Sequence, residues 1–123
     1  MSKKAKIVIA DDDAGIRATL TDILTEKKYT IDTVEDGYEL LANLKKKSPQ
    51  IVILDLMMPE KDGIEVLSTI RSISPNTKII IYTGFKKYEN SIYARSADKF
   101  LLKGESPEKL LQTIEELLKN NTP

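Results

Sequence analysis

The chain carries a small set of residues suited to handling phosphoryl groups and divalent cations. Three consecutive carboxylates, Asp11, Asp12 and Asp13, follow the apolar run Ile7-Val8-Ile9-Ala10. A fourth, Asp55, follows Ile51-Val52-Ile53-Leu54. Thr83 stands at the end of a third such run and Lys103 at the end of a fourth. Carboxylates gathered around one point repel unless a cation joins them. An all-oxygen cluster suits Mg²⁺, which takes one or two carboxylates, a backbone carbonyl, waters and a phosphoryl oxygen at roughly 2.0–2.1 Å. A carboxylate that attacks phosphorus forms an acyl phosphate. Mg²⁺ and an ammonium group then offset the charge that spreads over the phosphoryl oxygens. Each signal alone also has a plainer reading. Three aspartates before a helix are about as readily a cap in a favourable dipole position as a metal site. Asp55 ahead of Pro59 is also ordinary loop chemistry. Thr83 is a common strand-end residue, and a lone lysine is more often a solvated surface charge.

Whether these residues meet depends on the elements that carry them. Lys6–Ala10 is a β-branched apolar run and reads as a buried strand. Ile16, Leu20, Ile23 and Leu24 then share one helical face. Tyr29–Val34 reads as a second strand, and Asp36 to Glu39 has capping-box spacing for a helix carrying Leu40, Leu41 and Leu44. Ile51–Leu54 is wholly apolar and is expected at the centre of the sheet. A turn over Pro59 to Gly63 leads to a helix with Ile64, Val66, Leu67, Ile70 and Ile73. Lys78–Tyr82 is a fourth strand, followed by a helix around Tyr88–Ser96 with Ile92 and Tyr93 as its expected buried side. Lys99–Leu102 is a fifth strand. Ser106 caps the last helix with Pro107 at its first position. Leu110, Leu111, Ile114, Leu117 and Leu118 form its apolar stripe.

Strands that alternate with helices imply a parallel sheet covered on both faces. Right-handed crossovers make a doubly wound α/β fold the simplest solution. In such folds the ligand site lies beyond the carboxyl ends of the strands, where strand order reverses. Asp11, Asp12, Asp55, Thr83 and Lys103 all fall at those ends. Asp55 follows the most buried strand and is the best nucleophile candidate.

Composition narrows the chemistry. The 123 residues fit one domain, and 41% hydrophobic with 31% charged residues is the balance of a globular chain. Lys+Arg and Asp+Glu are 19 each, so the basic surface expected of a nucleic-acid binder is missing. The chain has neither Cys nor His. Thiolate chemistry, His-ligated zinc, hydrolytic triads and a phosphohistidine donor role are thereby excluded. No apolar run approaches a membrane span, and the run before Asp11 is too short for a signal-peptide core. A cytoplasmic location is the default expectation.

The motifs, in order, resemble the response-regulator receiver domains of two-component signalling. They are Ile7 to Asp13, then Leu54-Asp55-Leu56-Met57-Met58-Pro59 with Asp62-Gly63, then Tyr82-Thr83-Gly84 and Lys99-Phe100-Leu101-Leu102-Lys103. The resemblance spans essentially the whole chain, read as a single receiver domain over residues 1–123. It implies a flavodoxin-like five-stranded parallel sheet of order 2-1-3-4-5 with five helices. It implies Mg²⁺ held by Asp11, Asp12, Asp55 and the backbone carbonyl of Met57, with Asp12 the most direct ligand. It further implies that Asp55 takes phosphate from the phosphohistidine of a sensor histidine kinase or phosphotransfer protein, or from a small phosphodonor. Thr83 would turn to the phosphoryl group, Lys103 would pair with it, and Phe100 would follow Thr83 inward as an aromatic switch. Met57 and Phe85, each two positions beyond a site residue, would flank the path of attacking water.

The sequence departs from the family pattern in two places. Gly104 stands where proline usually follows the lysine. Lys103-Gly104-Glu105-Ser106-Pro107-Glu108 is more similar to receivers that precede helix-turn-helix output domains. Thr83 and Lys103 are also about two positions closer than usual, which shortens the fourth-helix region. Among rivals, an aspartyl-phosphate phosphatase needs an acidic residue where Met57 stands, and a Walker-type NTPase needs a glycine-rich lysine loop that is absent. The other reading is an interaction module of the same fold that works without phosphorylation.

Overall fold

The computed structural model of the chain describes residues 5–56 and 63–120. Met57 and the turn expected from Pro59 lie outside them. The order is β1 (Lys6–Ala10), α1 (Ala14–Glu26), β2 (Thr30–Val34), α2 (Gly37–Lys47), β3 (Ile51–Leu54), α3 (Gly63–Ile73), β4 (Lys78–Thr83), α4 (Ile92–Ser96), β5 (Lys99–Leu102) and α5 (Pro107–Asn120). All strand pairs are parallel, and the sheet runs β2-β1-β3-β4-β5. The flavodoxin-like doubly wound fold is therefore as expected. Strand order reverses at β1, which pairs with β2 on one side and β3 on the other.

Alternating side chains of the strands feed two cores. Val8, Ala10, Val52, Leu54, Ile79 and Ile81 pack with Leu40 and Leu44 of α2 and Val66, Leu67 and Ile70 of α3. Ile7, Ile9, Ile51, Ile53, Ile80 and Leu101 pack with Leu20 and Leu24 of α1 and Leu110, Ile114 and Leu117 of α5. Ile80 sits on an interior strand and is fully buried. Ile80→Ala is expected to cost about 2–5 kcal/mol of unfolding free energy, because the rigid sheet cannot close over the lost methyl groups. Urea denaturation monitored by circular dichroism checks this; an unchanged midpoint would contradict it.

Helix starts follow the sequence signals closely. At α2, the Asp36 carboxylate accepts from Glu39 N at 2.9 Å. Glu39 reaches back to the amide of Glu35 at 2.8 Å, one residue earlier than the simplest capping box. β2 is tied to α2 by Asp32, which accepts from Asn43 Nδ2 at 3.0 Å and pairs with Lys47 at 3.2 Å. The Asn43 hydrogen bond, opposed by burial and helped by Lys47, holds the Asp32 carboxyl below its ordinary value of 3.8. A depressed carboxyl stabilises the fold above that value, and the contribution disappears as pH falls through the folded value. Lys47 is half-exposed, so the effect is about 0.5 kcal/mol. The stability difference between wild type and Asp32→Asn should shrink as pH drops below 3.8. A difference that grows instead would refute the assignment.

The fourth helix is short, as the close spacing of Thr83 and Lys103 implies, but it starts later than the expected Tyr88. A single 3₁₀ turn, Lys86–Tyr88, precedes the five-residue α4. Ser91 caps α4, and its Oγ accepts from Ala94 N at 3.4 Å. This break changes the helical phase. Tyr93 and Tyr88 pack edge-to-face at 5.6 Å against the first core, whereas Ile92, expected to be buried, is 55% exposed.

Candidate phosphoryl-acceptor and metal site

The site sits where strand order reverses. Asp11 extends β1 at its carboxyl end and is almost wholly buried. Each of its polar groups is held. Its amide donates to Val34 O at 3.2 Å, and its Oδ1 accepts from Asp13 N at 2.9 Å. Its Oδ2 pairs with Lys103 Nζ at 2.7 Å, and its carbonyl accepts from Arg17 Nη1 at 2.8 Å. Asp55 follows β3, is 6% exposed, and its Oδ2 lies 3.2 Å from the same Lys103 nitrogen. Its amide donates to Ala10 O at 2.9 Å, locking the ends of β1 and β3 together.

The three consecutive aspartates divide the two roles that the sequence left open. Asp13 caps α1, accepting from Gly15 N at 2.8 Å and Ile16 N at 3.1 Å. Asp11 and Asp12 turn instead to Asp55. Asp11, Asp12 and Asp55 each place a carboxylate oxygen within 4.8 Å of the others'. Asp12 is exposed, which leaves room for water ligands. Three hard oxygen donors with an open side fit Mg²⁺, which keeps several waters and takes only one or two carboxylates directly.

Thr83 ends β4 and is fully buried. Its hydroxyl accepts from Phe85 N at 3.3 Å, and its carbonyl accepts from Lys103 N at 2.8 Å, so the β4 and β5 ends are joined by backbone. Phe100 is half-buried and packs against the core on the α2–α3 face. Phe85 is 47% exposed, with its ring edge-on to Tyr88 at 6.3 Å.

Electrostatics tie these groups into one unit. Burial drives the Asp11 carboxyl upward, opposed by the Lys103 hydrogen bond and the Asp13 amide and reinforced by the charge of Asp55. Burial alone would lower Lys103, but its hydrogen bond to Asp11 and the charge of Asp55 outweigh that, and its ammonium is held more firmly than usual. Lys103 is thus shared between two buried carboxylates.

The β5–α5 loop has its own fastening. Gly104 adopts φ +96°, a conformation proline cannot take. Glu105 accepts from Leu102 N at 3.2 Å and pairs with Lys109 at 2.8 Å.

Two arginines escaped the sequence reading. Arg71 of α3 bonds Asp98 Oδ2 at 3.0 Å, Ser96 O at 3.2 Å and Thr77 O at 3.3 Å, clamping the α4–β5 connection. Arg17 holds the Asp11 carbonyl. Both lie in amphipathic helices, where an arginine reads as a solvated charge. The signal for Arg17 is its position six residues after Asp11, in the second turn of a helix that starts beside the strand end.

Comparison with known proteins agrees with this geometry. Residues 7–115 match the family model of the response regulator receiver domain. Response regulator MprA of Mycolicibacterium vanbaalenii is 32% identical over 120 residues, covering 96% of this chain and 52% of MprA. Transcriptional regulatory protein ResD of Bacillus subtilis is 33% identical over 96% of this chain and 50% of its own length. The chain thus spans about half the length of these curated relatives. Among solved structures, TrrA of Thermotoga maritima in complex with Mg(2+)-BeF superposes with TM-score 0.86 at 32% identity, covering 93% of this chain and 99% of that one. TrrA in complex with histidine kinase ThkA gives TM-score 0.85 at 33% identity, over 94% and 99% of the two chains. No helix among the described residues is long and apolar enough to cross a membrane. A family match over nearly the whole chain, on a fold that gathers the acidic cluster at its switch point, places this chain in the response regulator receiver domain family of two-component signalling.

Proposed function

We propose that Asp55 is the phospho-acceptor of a two-component relay and takes its phosphoryl group from the phosphohistidine of a sensor histidine kinase or phosphotransfer protein. The observation that carries this reading is the convergence of Asp11, Asp12 and Asp55 on one point, with Lys103 paired to two of them. An Asp55 oxygen attacks phosphorus, the donor's P–N bond breaks, and the departing imidazole takes up a proton. Asp11, Asp12, Asp55 and the Met57 carbonyl would hold Mg²⁺, which when bound supplies positive charge against the phosphoryl oxygens. Lys103 already faces Asp55 and pairs with the phosphoryl group once it is attached. The chain acts on no other substrate in this reading, and residues 1–123 form one receiver domain. A complex between a similar receiver, TrrA, and its kinase supports the choice of partner. A cytoplasmic location belongs to the same reading.

Phosphorylation adds about −1.5 to −2 charges. The Thr83 hydroxyl accepts from Phe85 N and has its own proton to donate to a new oxygen; moving it there draws the β4–α4 loop with it, and Phe100 repacks behind. Inverting a 1:99 equilibrium needs about 5.5 kcal/mol, and one charge-assisted hydrogen bond supplies roughly 1.5–3 kcal/mol. Thr83 alone is therefore insufficient, and Lys103 and Mg²⁺ must share the task.

Titration with beryllofluoride and Mg²⁺, followed by amide NMR, tests the switch. Shifts at Thr83 and Phe100 that require both Mg²⁺ and Asp55 are expected. A silent titration would favour the phosphorylation-independent interaction module. A second expectation concerns lifetime. Replacing Met57 and Phe85 together with polar residues should hasten loss of the phosphoryl group, since apolar cover keeps water from the acyl phosphate. An unchanged decay rate would count against that role.

A further inference from the structure

Asp12 is the ligand whose orientation is least secured. Asp11 is fixed at its amide, its carbonyl and both carboxylate oxygens. The Asp12 side chain is exposed, and no hydrogen bond among the described residues holds its carboxylate. Its direction therefore follows from its backbone, and that backbone begins with the peptide joining Asp11 to Asp12. The carbonyl of this peptide is the atom that Arg17 Nη1 grips at 2.8 Å.

The grip is well made. The Arg17 side chain is 17% exposed, against 63% for Glu35, which its other nitrogen meets at 3.5 Å. A charge-assisted bond at 2.8 Å from a mostly buried guanidinium outweighs a long contact to a solvated carboxylate. Arg17 thus acts on the loop and not mainly on Glu35. It also comes from the first turns of α1, whose start is fixed by the Asp13 cap, so the donor is anchored independently of the metal ligands.

We propose that Arg17 is a positioning residue for metal binding: by holding the Asp11 carbonyl it sets the Asp11–Asp12 peptide plane and aims Asp12 at the cation. The proposal rests on the Mg²⁺ site described above. It runs against simple electrostatics, which gives it a sign to test. Removing a positive charge near a cation site should tighten Mg²⁺ binding. Losing the support of a ligand should weaken it, by about 10- to 100-fold for groups that orient a ligand from behind.

The experiment is Mg²⁺ titration by isothermal calorimetry of the unphosphorylated chain as wild type, Arg17→Gln, Arg17→Lys, Glu35→Gln and Asp12→Asn, with thermal denaturation of each. Arg17→Gln should bind Mg²⁺ about 10-fold or more weakly. Arg17→Lys keeps the charge but not the rigid fork, and should recover only part of the affinity. Glu35→Gln should bind within about twofold of wild type. Should Arg17→Gln prove too unstable at the working temperature, Arg17→Lys carries the test alone, and full wild-type affinity there overturns the proposal. Arg17→Gln that folds and binds as tightly as wild type, or more tightly, also overturns it. Wild type that binds no Mg²⁺, or Asp12→Asn that binds normally, overturns the metal-site reading itself, and is distinguishable because it does not depend on Arg17.

Discussion

Asp55→Asn should take up no label from acetyl phosphate, at any Mg²⁺ concentration, while remaining folded. The amide that replaces the carboxylate has the same shape but no anionic oxygen to attack phosphorus. The fold should tolerate the change. Asp55 contributes a like charge that raises Asp11, and Lys103 keeps its shorter partner, Asp11, at 2.7 Å. A buried group of three charges becomes a single ion pair with a neutral neighbour. Radiolabel from acetyl phosphate, resolved on an acid gel, should fall to background, and the unfolding midpoint should equal or exceed that of wild type. Label retained at wild-type level would remove Asp55 from the acceptor role.

Lys103→Ala should cost more stability than Asp55→Asn, and it should separately slow phosphorylation. Lys103 lies between carboxylates whose side chains are only 3% and 7% exposed. Without it, two buried anions face each other with no cation, and removing one partner of a buried pair costs about 3 kcal/mol. The Asp11 carboxyl, already raised by burial, would rise further. A raised carboxyl leaves stability intact below its unfolded value and erodes it as pH climbs through the folded value. The variant's deficit should therefore be small below the ordinary value of 3.8 and grow toward neutral pH. Saturating Mg²⁺ should reduce it, since a divalent cation restores charge balance to the same oxygens. Phosphorylation by acetyl phosphate should still slow about 10- to 100-fold, the worth of one charge-assisted hydrogen bond. Lys103→Arg should not restore the rate, because a planar fork does not replace a compact ammonium. Urea titrations across pH, with EDTA or Mg²⁺, check the first effect; a deficit independent of pH and of Mg²⁺ would contradict it.

The sheet was legible because its interior strands are unbroken β-branched runs. Ile51-Val52-Ile53-Leu54 has no other stable place than the middle of a covered sheet, and it is there. The convergence of Asp11, Asp12 and Asp55 followed from the 2-1-3-4-5 order that the family resemblance implied, which puts the ends of β1 and β3 side by side. The division of labour within Asp11-Asp12-Asp13 came from the family resemblance and not from residue type, since aspartate both caps helices and binds cations. It depends on where α1 starts, and the cap settles it in favour of Asp13. The fourth-helix region was the least readable. Its helix begins at Ile92 and not near Tyr88, after a separate 3₁₀ turn, and Ile92 faces solvent while Tyr93 packs inward. Such a segment has too few apolar positions to fix its own phase. Arg71 and Asp98 secure it from α3 instead, a contact between residues far apart in sequence.

The shortened segment bears on signalling. Thr83 is joined to Lys103 through backbone, and Phe100 packs with Tyr88, Tyr93 and Ala97 against one core. On the proposed reading, a change at Asp55 would reach this aromatic group through few residues, and amide NMR shifts should then concentrate in the loop after β4.

The decisive measurement is chemical. The chain, incubated with Mg²⁺ and acetyl phosphate, is reduced with borohydride, which converts an aspartyl phosphate to homoserine, and its peptides are sequenced by mass spectrometry. Homoserine at position 55, dependent on Mg²⁺, is the expected result; modification at another aspartate, or none, would contradict the assignment of Asp55.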